Sequence, residues 1–478
     1  TLASVVGSNV HAKGRTEVGA WSTQGVSSLV VGLGAGGFAA VGTGVMAKFT
    51  SQTEAWTDGA TLDTGTLDIS ADHDTHMFLS AGAVALGGSA VAGTFAVGLD
   101  NSVIKAHIDG GSVDASGQID VKADSSTELK NIGVSGAGAG GVSVAGMAVV
   151  ALIGNTTQAY TTGTRIGSAG TPSGGLAVTA KDMVSVDNKA GAAAGGGSAG
   201  IGLGAGVTKV ANTVSAYVAD SNVDVVNDVV VDAAATRDLY TFAATAGVSA
   251  GFSLAGAAGI TIVGSTLSSE AKNELGSSTD SELDRFASKD RLSVGGNIDT
   301  NSNFTQSDID AINSAGKTST SSNLATSGLA PGTLAQRTKA QISGSASNHV
   351  QAGKNVLVHS SEKDKVAMQV GSVSVGVVAL GGSVGFLDIT NNVESEVSGA
   401  VKLTSTSGKI DVTSDVGRLD AAQIAASVQT LQGSGGVVGL GAAVSKVTVT
   451  NNVAATIGRG TTTESLTGDI MVKAVDSS

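Results

Sequence analysis

The chain has 478 residues, among them 69 glycines, 2 prolines and no cysteine, with aromatic residues at 3% and a formal charge of −13. Lack of cysteine excludes disulfides, thiolate metal sites and cysteine nucleophiles, and an acidic balance with Lys and Arg scattered singly works against nucleic-acid or anionic-membrane binding. A core built mainly from Ala, Val, Gly and Ser cannot fill a wide globular interior, so the composition calls for thin, regular, stacked β-structure.

The apolar fraction of 41% argues against a solvated coil, and scarce proline fits a hydrogen-bonded ladder. The opening TLASVVGSNVHAKGRTE has no charged segment followed by an apolar run, so no signal peptide is expected there. The pattern begins and ends in mid-repeat, as expected of a piece of a longer repetitive protein.

In chain order, the first notable stretch is VVGLGAGGFAAVG, where Gly32, Gly34 and Gly37 have the spacing of a dinucleotide-binding loop, repeated at Gly136, Gly138 and Gly141. That loop needs a helix after it, whereas this sequence continues in β-alternation. The glycine runs are therefore expected to let a second backbone approach closely. Next comes SADHDTHMF, where Asp72, Asp74 and His76 share one strand face and His73 the other, the best candidate metal cluster in the chain. A solvated polar corner is the competing reading.

Alternating strands follow, each closing on V-x-V-x-A or a close variant. The closing residues are Ala71, Ala123, Ala180, Ala233, Ser360, Ser414 and Ala474, at spacings of 52, 57, 53, 127, 54 and 60 residues. The long step contains 266–339, a more charged segment with helical spacing and an N-cap at Ser307. Taking out its 74 residues restores a step of 53. A second ruler is Asn155, Asn212, Asn391 and Asn451, each four residues before a small residue, read as a recurring turn.

These patterns predict an all-β, elongated β-solenoid of about seven repeats of 52–60 residues, with solenoid repeats at 1–265, a partly helical insertion at 266–339 and further repeats at 340–478. Two to three coils per repeat would give a rod on the order of 70 to 100 Å long. Charge-free runs between Lys130 and Arg165 and between Asp238 and Glu270 are long enough to span a membrane, but Gly, Ala and Ser dominate them and no membrane-spanning segment is expected.

No catalytic set emerges. Outward acids such as Asp114, Asp120, Asp224, Asp232 and Asp411 recur from repeat to repeat, as on a solvated face. A polysaccharide-cutting β-helix would need paired carboxylates and aromatic platforms, and the chain has 2 Trp and 3 Tyr. Trp21 and Trp56 are read as core plugs at one end of the array, with exposed contact residues as the alternative, and His11, His107, His349 and His359 as isolated surface residues. No cofactor is expected.

The order of glycine-rich run, N-x-x-x-A segment and V-x-V-x-A strand resembles the filamentous repeats of giant bacterial surface adhesins, including leukotoxin-like and haemagglutinin-type exoproteins. The resemblance implies a secreted or cell-surface protein that acts as a non-enzymatic stalk or filament segment. Expected partners are further copies, end to end or laterally, and a host or neighbouring-cell receptor or glycan. The alternative is a repeat face that binds glycan, mineral or membrane.

Overall fold

The computed structural model describes residues 1–264, 337–419 and 426–477. Most of the expected insertion, Ser307 included, lies outside the described residues. Arg337–Gly344 is strand, so residues 337–339 belong to the β-structure and not to the insertion.

The described residues form one system of 26 strands paired in parallel, and no helix among them is long and apolar enough to cross a membrane. Both sequence rulers are rows of the sheet. Ala71 pairs with Ala123, Ala123 with Ala180, Ala180 with Ala233, Ala233 with Ser360, Ser360 with Ser414 and Ser414 with Ala474. The residues four after the recurring asparagines pair likewise, Ala159 with Ala216 and Ser395 with Ala455. Ala20 precedes Ala71, giving eight layers among the described residues.

One repeat makes one layer, which corrects the expected two to three. The Gly and Ser that punctuate the sequence do not break the strands: Gln118–Ala139 and Gly175–Gly196 run for 22 residues each. Eight layers at ~4.8 Å stack to roughly 40 Å, about half the height expected from the sequence.

Each layer has two parts. In the part here called the head, short strands such as Thr213–Ala219 and Asn222–Val225 face the first half of a long strand such as Val229–Ser249. The head encloses Ile69, Ile104, Ile108, Ile119, Leu176 and their neighbours in a fully buried aliphatic core. In the part here called the fin, the second half of the long strand runs outward, turns, and returns as a strand such as Phe252–Val263. The fin interior is mostly alanine, including Ala83, Ala85, Ala145, Ala192 and Ala194.

The glycine runs work as expected in the fin. Asn188 Nδ2 donates to the Val207 carbonyl across the two sheets at 3.0 Å, and a Cβ on Gly202 would run into the backbone oxygen of Ala246. Close approach of two parallel sheets is therefore a requirement at particular glycines. A Cβ on Gly195, by contrast, meets nothing within 4 Å.

Gly202→Ala is expected to destabilise the chain by about 1–3 kcal/mol, because backbone must move to admit the methyl. Gly195→Ala should stay within about 0.5 kcal/mol of the parent. Chemical denaturation of the two variants side by side checks the pair.

Candidate functional site

The three candidate metal ligands do alternate along one outward face, but each looks to its neighbouring layer. Asp72 pairs in register with Trp21 and Asp124, Asp74 with Thr23 and Ser126, and His76 with Gly25 and Glu128. His76 Nε2 lies 3.8 Å from Glu128 Oε2. Burial pushes the Asp72 carboxyl up from its ordinary value, opposed by a hydrogen bond from Trp21. Among the described residues no three His, Asp or Glu side chains are grouped to hold a metal ion. His73 turns inward, as its alternation requires, and its Nε2 meets Thr75 Oγ1 at 2.9 Å and Ser51 Oγ at 3.1 Å.

The remaining histidines are not isolated, which corrects the sequence reading. His11 faces Asp63 at 3.3 Å, His349 faces Asp224 at 3.0 Å and His359 faces Asp232 at 2.9 Å. Stacking brings residues more than 50 positions apart into one row, so a histidine finds its acid in the next layer. Of the acids read as outward, Asp114 meets Arg165 of the next layer at 2.8 Å, Asp120 and Asp411 pair two residues away along the chain with Lys122 at 3.4 Å and Lys409 at 2.7 Å, and Asp224 is buried, which corrects its outward reading. These are mostly exposed pairs that contribute little energy singly.

Trp56 is not a core plug. Trp56, His107, Tyr160 and Tyr217 occupy one row and stack nearly parallel, with ring centroids 6.1, 4.6 and 4.7 Å apart. Buried His107 has a carboxylate at each ring nitrogen, Glu54 at 3.0 Å and Asp109 at 2.8 Å. Burial pushes the Tyr217 phenol up to about 12. The rings spend their faces on one another, so as sugar platforms they offer edges. Trp21 is 55% exposed, also against the plug reading.

The densest chemistry lies where head meets fin. There the inward positions, apolar elsewhere, turn polar: Ser125 and Thr127 in one layer, Asp182 in the next, then Arg237, then Glu362 and Asp364. The recurring asparagines face them from the returning chain. Asn155 Nδ2 donates to Asp100 Oδ2 at 3.2 Å, Asn212 to Asp182 at 2.6 Å and Asn391 to Asp364 at 2.8 Å. The side-chain oxygens of Asn155 and Asn212 accept the backbone N–H of Ser102 and Asn155 in the layer below, at 2.8 and 2.9 Å. Asn155 and Asn212 thus tie one corner to the adjacent layer, while Asn212 and Asn391 reach an acid across the interior and Asn155 reaches Thr127 there and Asp100 in the layer below. Arg237, wholly buried, bridges Glu362 and Asp364.

The glycine spacings carry no phosphate cradle: Gly32, Gly34 and Gly37 lie within the strand Asn9–Phe49, and Gly141 leads into the strand Val142–Ile153. The geometry therefore offers a polar seam closed to solvent and an outer surface of paired charges. No family model, curated protein or solved structure matches the chain.

Burial raises the Asp182 carboxyl to about 6, against the opposing pull of Asn212 and Arg237. A carboxyl raised in the folded state contributes stability that is full below its unfolded value near 3.9 and is lost as pH climbs through 6. Asp182→Asn should therefore remove that slope between about pH 4 and 6 and raise stability at pH 7 by up to roughly 3 kcal/mol. Denaturant unfolding across pH checks it, and an unchanged slope would contradict the assignment.

Proposed function

We propose that this chain is a non-enzymatic β-solenoid segment of a large bacterial surface or secreted adhesin, a stalk that extends other parts of the protein from the cell. The observation that carries this reading is the register: every repeat lies in parallel on the next through the same rows, an arrangement that propagates along one axis. Support also comes from where the polar residues go. Acids and bases pair with one another along a strand or between layers, and the buried polar groups form a seam that no substrate can reach from solvent. Self-association and a receptor or glycan on a neighbouring cell are the partners that fit a stalk.

Antibodies against the chain, applied to intact cells that produce it, should label the surface. Labelling that appears only after lysis would overturn the proposal.

The segment inserted after the fifth layer is proposed as an addition to the stack. Within the stack, two residues separate Val210 from Thr213, and two separate Ile153 from Thr156. Deleting 266–336 would leave Gly264 and Ser265 between Val263 and Arg337, the same two-residue corner. The deletion variant should keep its β-type circular dichroism and a cooperative melt. Loss of folding would mean that the segment is part of the stack.

A further inference from the structure

We infer that the outer face of the fin formed by the long strands is a docking surface for a second copy of this chain, paired face to face. The face is defined by three rows, from Val31–Leu431 through Leu33–Gly433 to Ala35–Gly435. On the seven layers whose fin lies among the described residues, those three outward positions hold only Val, Leu, Ala and Gly. The large ones stand in solvent: Leu33 is 77% exposed, Leu431 74% and Leu86 53%. Beneath them the inward alanines are buried, so the apolar outer residues are not needed for the fin's own core.

Area identifies the occupant. Three alternate positions along a strand cover ~20 Å, and seven strands at ~4.8 Å cover ~34 Å, a nearly flat patch of ~650–700 Å². Monomers rarely leave so large an apolar patch bare, and its size approaches the ~800 Å² each partner contributes to a standard interface. A face of Val, Leu, Ala and Gly presents the same apolar chemistry to a second copy of itself, as a two-fold pairing requires, and two such sheets pack as the layers of a sandwich do. Toward the head the next outward row is mixed, with Lys189 among Leu29, Ile132, Phe242 and Gln369, and further charge follows one row beyond at Lys130 and Asp187.

Hydrocarbon is the less suitable occupant. In this chain the first and last fin layers pair on one side only among the described residues, so insertion of the chain as it stands would carry open strand edges into lipid. The pairing deepens the stalk reading by naming a lateral partner.

The test uses the intact chain in sedimentation velocity over a concentration series. The wild type is expected to show twice the monomer mass, and added salt should tighten the pairing by screening the repulsion between two copies of charge −13. Val84→Glu with Val373→Glu, both exposed and on the central row, should weaken association at least tenfold with unchanged circular dichroism. Ala193 occupies the central row of the fourth of the seven layers. Because the chain has no cysteine, a short bis-maleimide should link Ala193→Cys into a covalent dimer, since sheets packed ~10 Å apart hold the two Cα atoms beyond direct disulfide reach. A monomer at every concentration in high salt, a double variant that pairs as before, or no crosslinked dimer from Ala193→Cys would overturn the proposal. So would a monomeric wild type that floats with phosphatidylcholine vesicles, which would assign the face to membrane. A chain that stays monomeric but labels intact cells removes the pairing and leaves the stalk reading standing. Dimers without surface labelling do the reverse.

Discussion

Parallel pairing in register is the constraint on which the other features depend. When each layer lies on the last with strands ~4.8 Å apart, a side chain touches its counterpart about 55 residues away more closely than most of its neighbours in sequence. Rows must then be compatible along their whole length. That is why the head core repeats aliphatic residues, why His107 stacks between Trp56 and Tyr160, and why His359 meets Asp232 across 127 residues of chain.

The same constraint explains the two-part layer. The head can use Ile and Leu because its short strands surround a broad interior, whereas the fin has only two sheets and keeps them close with Ala and Gly. Between the two cores sits the polar seam. Buried charges such as Arg237 with Glu362 and Asp364 are costly to desolvate, and in a stack whose apolar rows are nearly interchangeable they supply what those rows lack, a preference for one register. A slip by one residue would turn Asp182, Arg237 and Glu362 outward and bring neighbouring outward side chains into the core. The asparagines reinforce this by bonding to the backbone of the adjacent layer.

Much of the fold was legible in the sequence because period and pairing coincide: the V-x-V-x-A endings and the asparagines are rows of the sheet. The layer count was misjudged because Gly and Ser inside Gln118–Ala139 and its equivalents resemble turns locally, and only the fin explains why they remain extended. The seam was visible in principle. In ADSSTEL, AKDMV and ATRDL the inward alternation places Ser125, Asp182 and Arg237 where apolar residues are due, but their partners come from the returning chain and from other layers. The metal reading of Asp72, Asp74 and His76 had the face right and missed that a row supplies its own partners, as Glu128 does for His76.

The most direct measurement of one layer per repeat is a spin-label distance. Ser70 and Thr413 share an outward row through Lys122, Thr179, Asp232 and His359, five layer steps apart. Nitroxides on Ser70→Cys and Thr413→Cys should be ~24 Å apart, within the spread of the label arms. A distance of about 50 Å or more would mean several coils per repeat and would contradict the stack described here.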